Sequence, residues 1–292
     1  MMKKRSAVVR GAAFLTIAVL ASAPALLLAA TVSPPEVIDV RDLSEKIGER
    51  EVVFYALDLE NGESFAVQPG RLDEPHSPWS TFKVPNLLIA LESGVAGDLD
   101  YAKQWDQEKY PARDYWPKAW RNDHTLRSAF KHSVVWYFKE IALEVGLERY
   151  RQDVVKFGYG NREIADKLDS FWLGDPLEIS PREQVAFLTR LLSGELGVSD
   201  SSMKALGEVS MSSAKDGFVL HGKTGAGPSE SGNFKGPFDG WYVGWVERPD
   251  QDPLAYALYI KGKGFKAIQN NIRQDLSVDL LMKIGALPAN WK

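Results

Sequence analysis

The 292-residue chain contains no cysteine. That excludes a disulfide framework, a cysteine nucleophile, a thiolate zinc site and a lipoprotein anchor, which would need a cysteine at its cleavage point. Histidine is scarce. His76, His124, His132 and His221 stand apart, with neither H-x-H nor H-E-x-x-H spacing, so no zinc centre is expected. No self-similar period of roughly 20–50 residues is present, which excludes a repeat array. Beyond residue 30 no apolar run is long enough to span a bilayer. An excess of positive charge is also missing. The net charge is −4, and the first 30 residues hold Lys3, Lys4, Arg5 and Arg10 but no acid. The remainder therefore carries 31 basic against 39 acidic residues, a net charge of −8. A body of that sign suits neither nucleic acid nor an anionic membrane, although it can hold a local cationic pocket.

What is present is ordinary for a globular chain: 45% hydrophobic and 25% charged residues, with 24 Gly and 16 Pro. The length suggests one large domain or two closely joined lobes. Residues 3–10 are basic, and residues 11–30 (GAAFLTIAVLASAPALLLAA) carry no charge. A basic start, an apolar stretch and small residues at its end read as a secretory signal cleaved near Ala30. The mature protein, residues 31–292, is then expected in the bacterial periplasm, free of the membrane, as a monomer or homodimer.

Residues 51–59 (EVVFYALDL) alternate and favour strand. Asn61-Gly62 and residues 64–67 follow, which predicts a hairpin. Helical spacing marks residues 82–92, stopped by Gly94, and a continuous helix over residues 125–145. Ser180-Pro181-Arg182-Glu183 is a capping box with proline at the first helical position. Residues 218–222, 241–247 and 254–261 then read as strands, and residues 272–284 as a final helix. Strands at both ends and helices between predict an α+β fold. One antiparallel sheet is built from both termini, with an inserted helical lobe and a site in the crevice between them.

Ser80 and Lys83 lie three apart at a predicted helix start, on one face. The helix N-terminus favours anionic species beside Ser80. Lys83 could take the hydroxyl proton if burial beside Phe82 kept its amine neutral. Alone, S-x-x-K is weak, because most chains contain one by chance.

The wider string Ser77-Pro78-Trp79-Ser80-Thr81-Phe82-Lys83-Val84-Pro85-Asn86 resembles the active-site segment of class D β-lactamases, the oxacillinases. Ser133-Val134-Val135 matches the family's S-x-V motif, Tyr159-Gly160-Asn161 its Y-G-N motif and Lys223-Thr224-Gly225 its K-T-G motif, in the expected order. Trp172-Leu173 matches a tryptophan–leucine pair, and residues 240–247 (GWYVGWVE) match the strand after K-T-G. The likeness spans roughly residues 40–286. The class A set, with S-D-N, fits worse, since this chain has no S-D-N.

The resemblance implies a serine acyl-enzyme on the lactam carbonyl, with no metal and no separate cofactor. Ser80 would be the nucleophile, and Lys83, reversibly N-carboxylated by CO₂, the general base. A carbamate is a buried anion and needs donors; the indole N–H of Trp172 is the matched one, and Phe82, Val135 and Leu173 are the matched apolar walls. Ser133 would relay a proton towards the leaving nitrogen, and Lys223 would supply positive potential. Thr224, Gly225 and Ala226 would bind substrate, with the Ala226 and Ser80 N–H groups as the oxyanion hole. Arg273 is the match for a carboxylate-binding arginine. Tyr159 and Asn161 are expected to order the edge of the site. Two departures bear on pocket shape: Ala226 follows K-T-G where Thr is frequent, and Trp79 precedes the nucleophile where a small residue is usual. Two other readings share these motifs. One is a β-lactam sensor domain that holds its acyl-enzyme. The other is a penicillin-binding D,D-peptidase, against which S-x-V and the Trp-Leu pair argue.

Overall fold

The computed structural model describes residues 33–164, 167–269 and 271–292. The predicted secretory signal, residues 1–30, lies outside the described residues. The strands, in chain order, are β1 (Glu36–Val37), β2 (Glu51–Asp58), β3 (Ser64–Val67), β4 (Ala102–Lys103), β5 (His124–Thr125), β6 (Met211–Lys215), β7 (Phe218–Pro228), β8 (Phe238–Arg248) and β9 (Gln251–Gly262). The helices are α1 (Ser44–Ile47), α2 (Lys83–Glu92), α3 (Leu126–Lys131), α4 (Val135–Val145), α5 (Leu147–Phe157), α6 (Pro181–Leu192), α7 (Asp200–Ser210), α8 (Phe265–Ile268) and α9 (Ile272–Lys283).

The expected hairpin forms: β2 and β3 pair antiparallel, with Tyr55 opposite Ala66, and Gly62 turns the chain at φ 76°. The main sheet runs β1-β3-β2-β9-β8-β7-β6. It is drawn from both ends of the chain, and the helices α2 to α7 occupy the sequence between β3 and β6. The sheet departs from the predicted pattern at one edge, where β1 joins β3 in parallel. β4 and β5 form a separate two-stranded ribbon.

Both faces of the central strands are covered, so β8 is buried throughout Phe238–Val246 and β9 throughout Leu254–Ile260. Alternate residues divide between two cores. Val53, Trp241, Val243 and Tyr259 pack with α2, α4 and α6, whereas Phe54, Tyr242 and Tyr256 pack with Leu276 and Leu280 of α9. The capping box at α6 is present in both halves: the Ser180 side chain accepts from the Glu183 N–H, and the Glu183 carboxylate accepts from the Ser180 N–H. No helix among the described residues is long and apolar enough to cross a membrane.

Candidate active site

Ser80 sits in a 3-10 turn, Trp79–Phe82, immediately ahead of α2 rather than at the helix start proper. The turn is closed by the Pro78 carbonyl, which accepts from the Thr81 N–H at 3.1 Å and from Thr81 Oγ1 at 2.7 Å. Trp79 holds a φ of 50°. For a bulky residue that backbone region costs on the order of 1–3 kcal/mol. The space for its indole comes from β7: a Cβ on Gly227 would stand 2.2 Å from the ring. The unusual residue before the nucleophile therefore has its counterpart in a glycine.

Lys83 opens α2 one turn beyond Ser80 and brings its Nζ to 2.9 Å from Ser80 Oγ. The side chain is 0% exposed, with Nζ 5.3 Å from the centre of the Phe138 ring. No carboxylate pairs with it among the described residues. Burial pushes the amine well below its ordinary range, and the nearby charge of Lys223 pushes it further. A base that must be neutral is thus placed on the candidate nucleophile.

The expected single helix over residues 125–145 is two. α3 ends at Lys131, Ser133 takes φ 57°, and α4 starts at Val135. Between them the Ser133 N–H bonds the Phe130 carbonyl at 3.1 Å and the Val134 N–H bonds the Ala129 carbonyl at 2.9 Å. This is a left-handed helix cap with serine standing where glycine is usual, and the break is what turns Ser133 towards the sheet. Lys223 Nζ lies 3.0 Å from Ser133 Oγ and 3.1 Å from the Thr224 carbonyl oxygen. No hydrogen bond joins Ser133 to Ser80 among the described residues, so the site consists of two Ser–Lys pairs.

Lys223 lies in the middle of β7, not at the strand end predicted for it. β6 covers β7 only at Phe218–His221. From Gly222 onwards that edge is left by β6, and the Ser80 turn comes against it: a Cβ on Gly225 would stand 2.8 Å from the Pro78 carbonyl oxygen. Burial lowers the Lys223 amine to about 7, with the charge of Arg273 acting in the same direction. Strand alternation puts Thr224 and Ala226 on the opposite face from Lys223, where Ala226 packs in the smaller core. Arg273 reaches the site from α9. Its Nη1 donates to the Gly225 carbonyl at 2.6 Å, and its stem crosses Gly240, whose added Cβ would meet Arg273 Cδ at 3.0 Å. No carboxylate pairs with Arg273 and its Nε has no hydrogen-bond partner among the described residues. Burial lowers the guanidinium to about 10.

Trp172 is fully buried, stacked on Phe82 at 5.6 Å between ring centres. Its Nε1 has no hydrogen-bond partner among the described residues. Leaving such a donor unmatched costs about 1–3 kcal/mol. Leu173 and Val135 are half-buried at the margin. An aromatic ring beside the Lys83 amine that sequence reading missed is Phe138 of α4; it falls one turn after Val134, a spacing that marks the same face. The Y-G-N segment fixes the loop that carries Trp172. Asn161 donates through Nδ2 to the Pro176 carbonyl at 2.7 Å and accepts through Oδ1 from the Glu178 N–H at 3.2 Å. Gly160, at φ 54°, lies so close to the Glu178 carbonyl that a Cβ would stand 2.0 Å from its oxygen.

A sheet edge laid against a Ser–x–x–Lys turn, with a second Ser–Lys pair facing it, is the arrangement of a penicillin-recognising serine enzyme. The family model of the penicillin binding protein transpeptidase domain matches residues 52–279. The probable β-lactamase YbxI of Bacillus subtilis is 30% identical over 246 residues, 84% of this chain and 85% of that protein. A solved class D β-lactamase, YbXI from Nostoc, superposes with a TM-score of 0.76 at 28% identity, covering 85% of this chain and 98% of that one. The C-terminal domain of the BlaR penicillin receptor of Bacillus licheniformis superposes with the same TM-score of 0.76 at 27% identity, covering 87% of this chain and 97% of that one. The chain belongs to the penicillin-binding transpeptidase-fold family and, within it, to the class D β-lactamases. It is a serine β-lactamase, a hydrolase of the cyclic amide.

Proposed function

We propose that the protein hydrolyses penicillin-type β-lactams through an acyl-enzyme on Ser80, with Lys83 N-carboxylated as the base for both half-reactions. The observation that carries this reading is the state of Lys83. Its amine is fully buried, touches Ser80, has no counter-ion among the described residues and is pushed towards the neutral form. Only a neutral amine attacks CO₂. The group formed is an anion, and the Trp172 Nε1 in the same aromatic core, without a partner among the described residues, is a donor suited to it. The carboxyl group takes the Ser80 proton in acylation, gives it up to solvent, and in deacylation takes a water proton that it hands to Ser80, while Lys223 regains its proton from solvent.

The chain's own groups account for the rest. Ser80 Oγ bonds to the lactam carbonyl carbon, the ring C–N bond breaks, and Ser133 Oγ passes a proton to the departing nitrogen. Lys223, with an amine near neutrality, replaces that proton. The N–H groups of Ser80 and Ala226 are the donors assigned to the carbonyl oxygen as it becomes negative. Arg273 and Lys223, which have no carboxylate partner among the described residues, are available to the substrate carboxylate, with Thr224 on the Arg273 side. Water then attacks the ester, and the opened acid leaves with Ser80 restored.

A single experiment separates this from the second reading, a sensor that keeps its acyl group, which the likeness to the BlaR domain favours. Purified protein given excess nitrocefin should turn over repeatedly, whereas one stoichiometric burst would assign it to the sensors. Residues 1–30 are proposed to export the enzyme to the periplasm, where hydrolysis would confer antibiotic resistance. Cell fractionation and N-terminal sequencing of the mature chain test that, with a new terminus close to residue 31 expected and an intact Met1 contradicting it.

A further inference from the structure

We propose that Gln184 is a positioning residue for the nucleophile. It is the centre of a one-way hydrogen-bond chain, Tyr159 to Gln184 to Thr81 to the Pro78 carbonyl, that fixes the distance between the Ser80 turn and the K-T-G strand.

Each link has a determined direction. Thr81 Oγ1 lies 2.7 Å from the Pro78 carbonyl, which can only accept, so the hydroxyl proton is committed there. Thr81 Oγ1 must then accept its second bond, and the Gln184 Nε2 donates to it at 3.0 Å. That orients the amide and leaves Gln184 Oε1 towards Tyr159, whose hydroxyl donates to it at 3.4 Å. Thr81, Tyr159 and Gln184 are all at most 1% exposed. Water is therefore not at hand to replace a missing partner.

The chain ends at the atom that matters most for site width. The Pro78 carbonyl closes the turn through the Thr81 N–H, and it is also the backbone atom against which Gly225 of β7 approaches. The two donors assigned to the oxyanion hole belong to these two segments. Moving Pro78 shifts the Ser80 N–H relative to the Ala226 N–H without touching either. The turn also contains Trp79 in its left-handed conformation. A strained turn needs its closing bonds, and one of the two that Pro78 accepts is directed by Gln184. The Y-G-N motif acquires a second task in this way. Asn161 ties down the loop, while Tyr159 reaches the nucleophile turn through Gln184 of α6.

The proposal rests on the Ser80 acyl-enzyme reading, so the parent enzyme is first shown by mass spectrometry to carry the acyl group on Ser80. Absence of that adduct would refute the reading itself. Acylation and deacylation rates are then measured separately by stopped-flow with nitrocefin for Gln184→Leu and Thr81→Val, which keep volume but remove the hydrogen bonds, and for Thr81→Ser, which restores the hydroxyl. Concentrations are corrected for folded protein by thermal melts. Acylation should slow about tenfold in Gln184→Leu and Thr81→Val, deacylation, whose tetrahedral intermediate uses the same two N–H donors, should slow as well, and the double variant should be no slower in either step than the worse single. Thr81→Ser should acylate near the parental rate. Acylation within twofold of the parent in Gln184→Leu would overturn the proposal. So would a Thr81→Ser variant as slow as Thr81→Val, which would mark a general packing defect.

Discussion

At the residue scale, burial has placed two side chains in an unusual state. Lys83 has its charge suppressed, and Trp172 has a donor with no acceptor among the described residues. Each explains the other if a carboxyl group on Lys83 is the occupant. Trp172→Ala is therefore expected to slow deacylation more than acylation, so that acyl-enzyme accumulates, with partial recovery in added bicarbonate. Stopped-flow burst amplitudes measure this, and unchanged turnover without bicarbonate would remove Trp172 from the mechanism. Lys83→Ala is expected to abolish turnover while leaving the fold intact by circular dichroism, and retained activity would place the base elsewhere. Arg273 shows the same logic from the other side, as a cation without an anion among the described residues. Arg273→Ala should raise KM for penicillins by one to two orders of magnitude, since a charge-assisted bond contributes about 1.5–3 kcal/mol, with kcat less affected.

At the scale of elements, the site is made by two irregularities. The 3-10 turn at Trp79–Phe82 and the left-handed break at Ser133 aim the two serines, and neither is visible to a periodicity argument. The spacing of Phe130, Val134, Ile141 and Val145 does repeat as a helix, because both halves pack on the same core. The pattern reports burial, not continuity, and no glycine marks the cap. What the residues did disclose were features with strong local chemistry: the Asn61-Gly62 hairpin, the capping box of α6 and the alternating strands. The Ser–Lys pairs were legible through motif order alone. Phe138 and Gln184 were not, because nothing local distinguishes a core ring or a buried amide with a task. The Trp79–Gly227 contact gives an element-level test. Gly227→Ala should lower the melting temperature and the acylation rate, since its Cβ would stand 2.2 Å from the indole. Trp79→Ala in the same chain should recover much of both. A Gly227→Ala variant as stable and active as the parent would show that the strand and the turn are not in this register.

At the scale of the whole molecule, two covered sheet faces supply the dry interior that the site exploits. Keeping amines there makes stability depend on pH. Lys223 titrates at about 7 in the fold against an ordinary 10.5. Between those values the unfolded chain holds a proton that the folded chain does not, so this group adds stability as pH rises from about 7 to 10.5 and contributes no slope below. Urea unfolding midpoints measured across that window should climb in the parent and climb less in Lys223→Met. Parallel curves would mean that the amine keeps its proton in the fold. The same desolvation that weakens the folded state readies the two amines for proton transfer.

Carbon-13-labelled bicarbonate and NMR on the intact enzyme report directly on whether Lys83 is carboxylated. One carbamate resonance is expected that is absent in Lys83→Ala, weakens as pH falls, and rises and falls with nitrocefin turnover. An enzyme that turns over at its full rate with no such resonance would contradict that carboxylation.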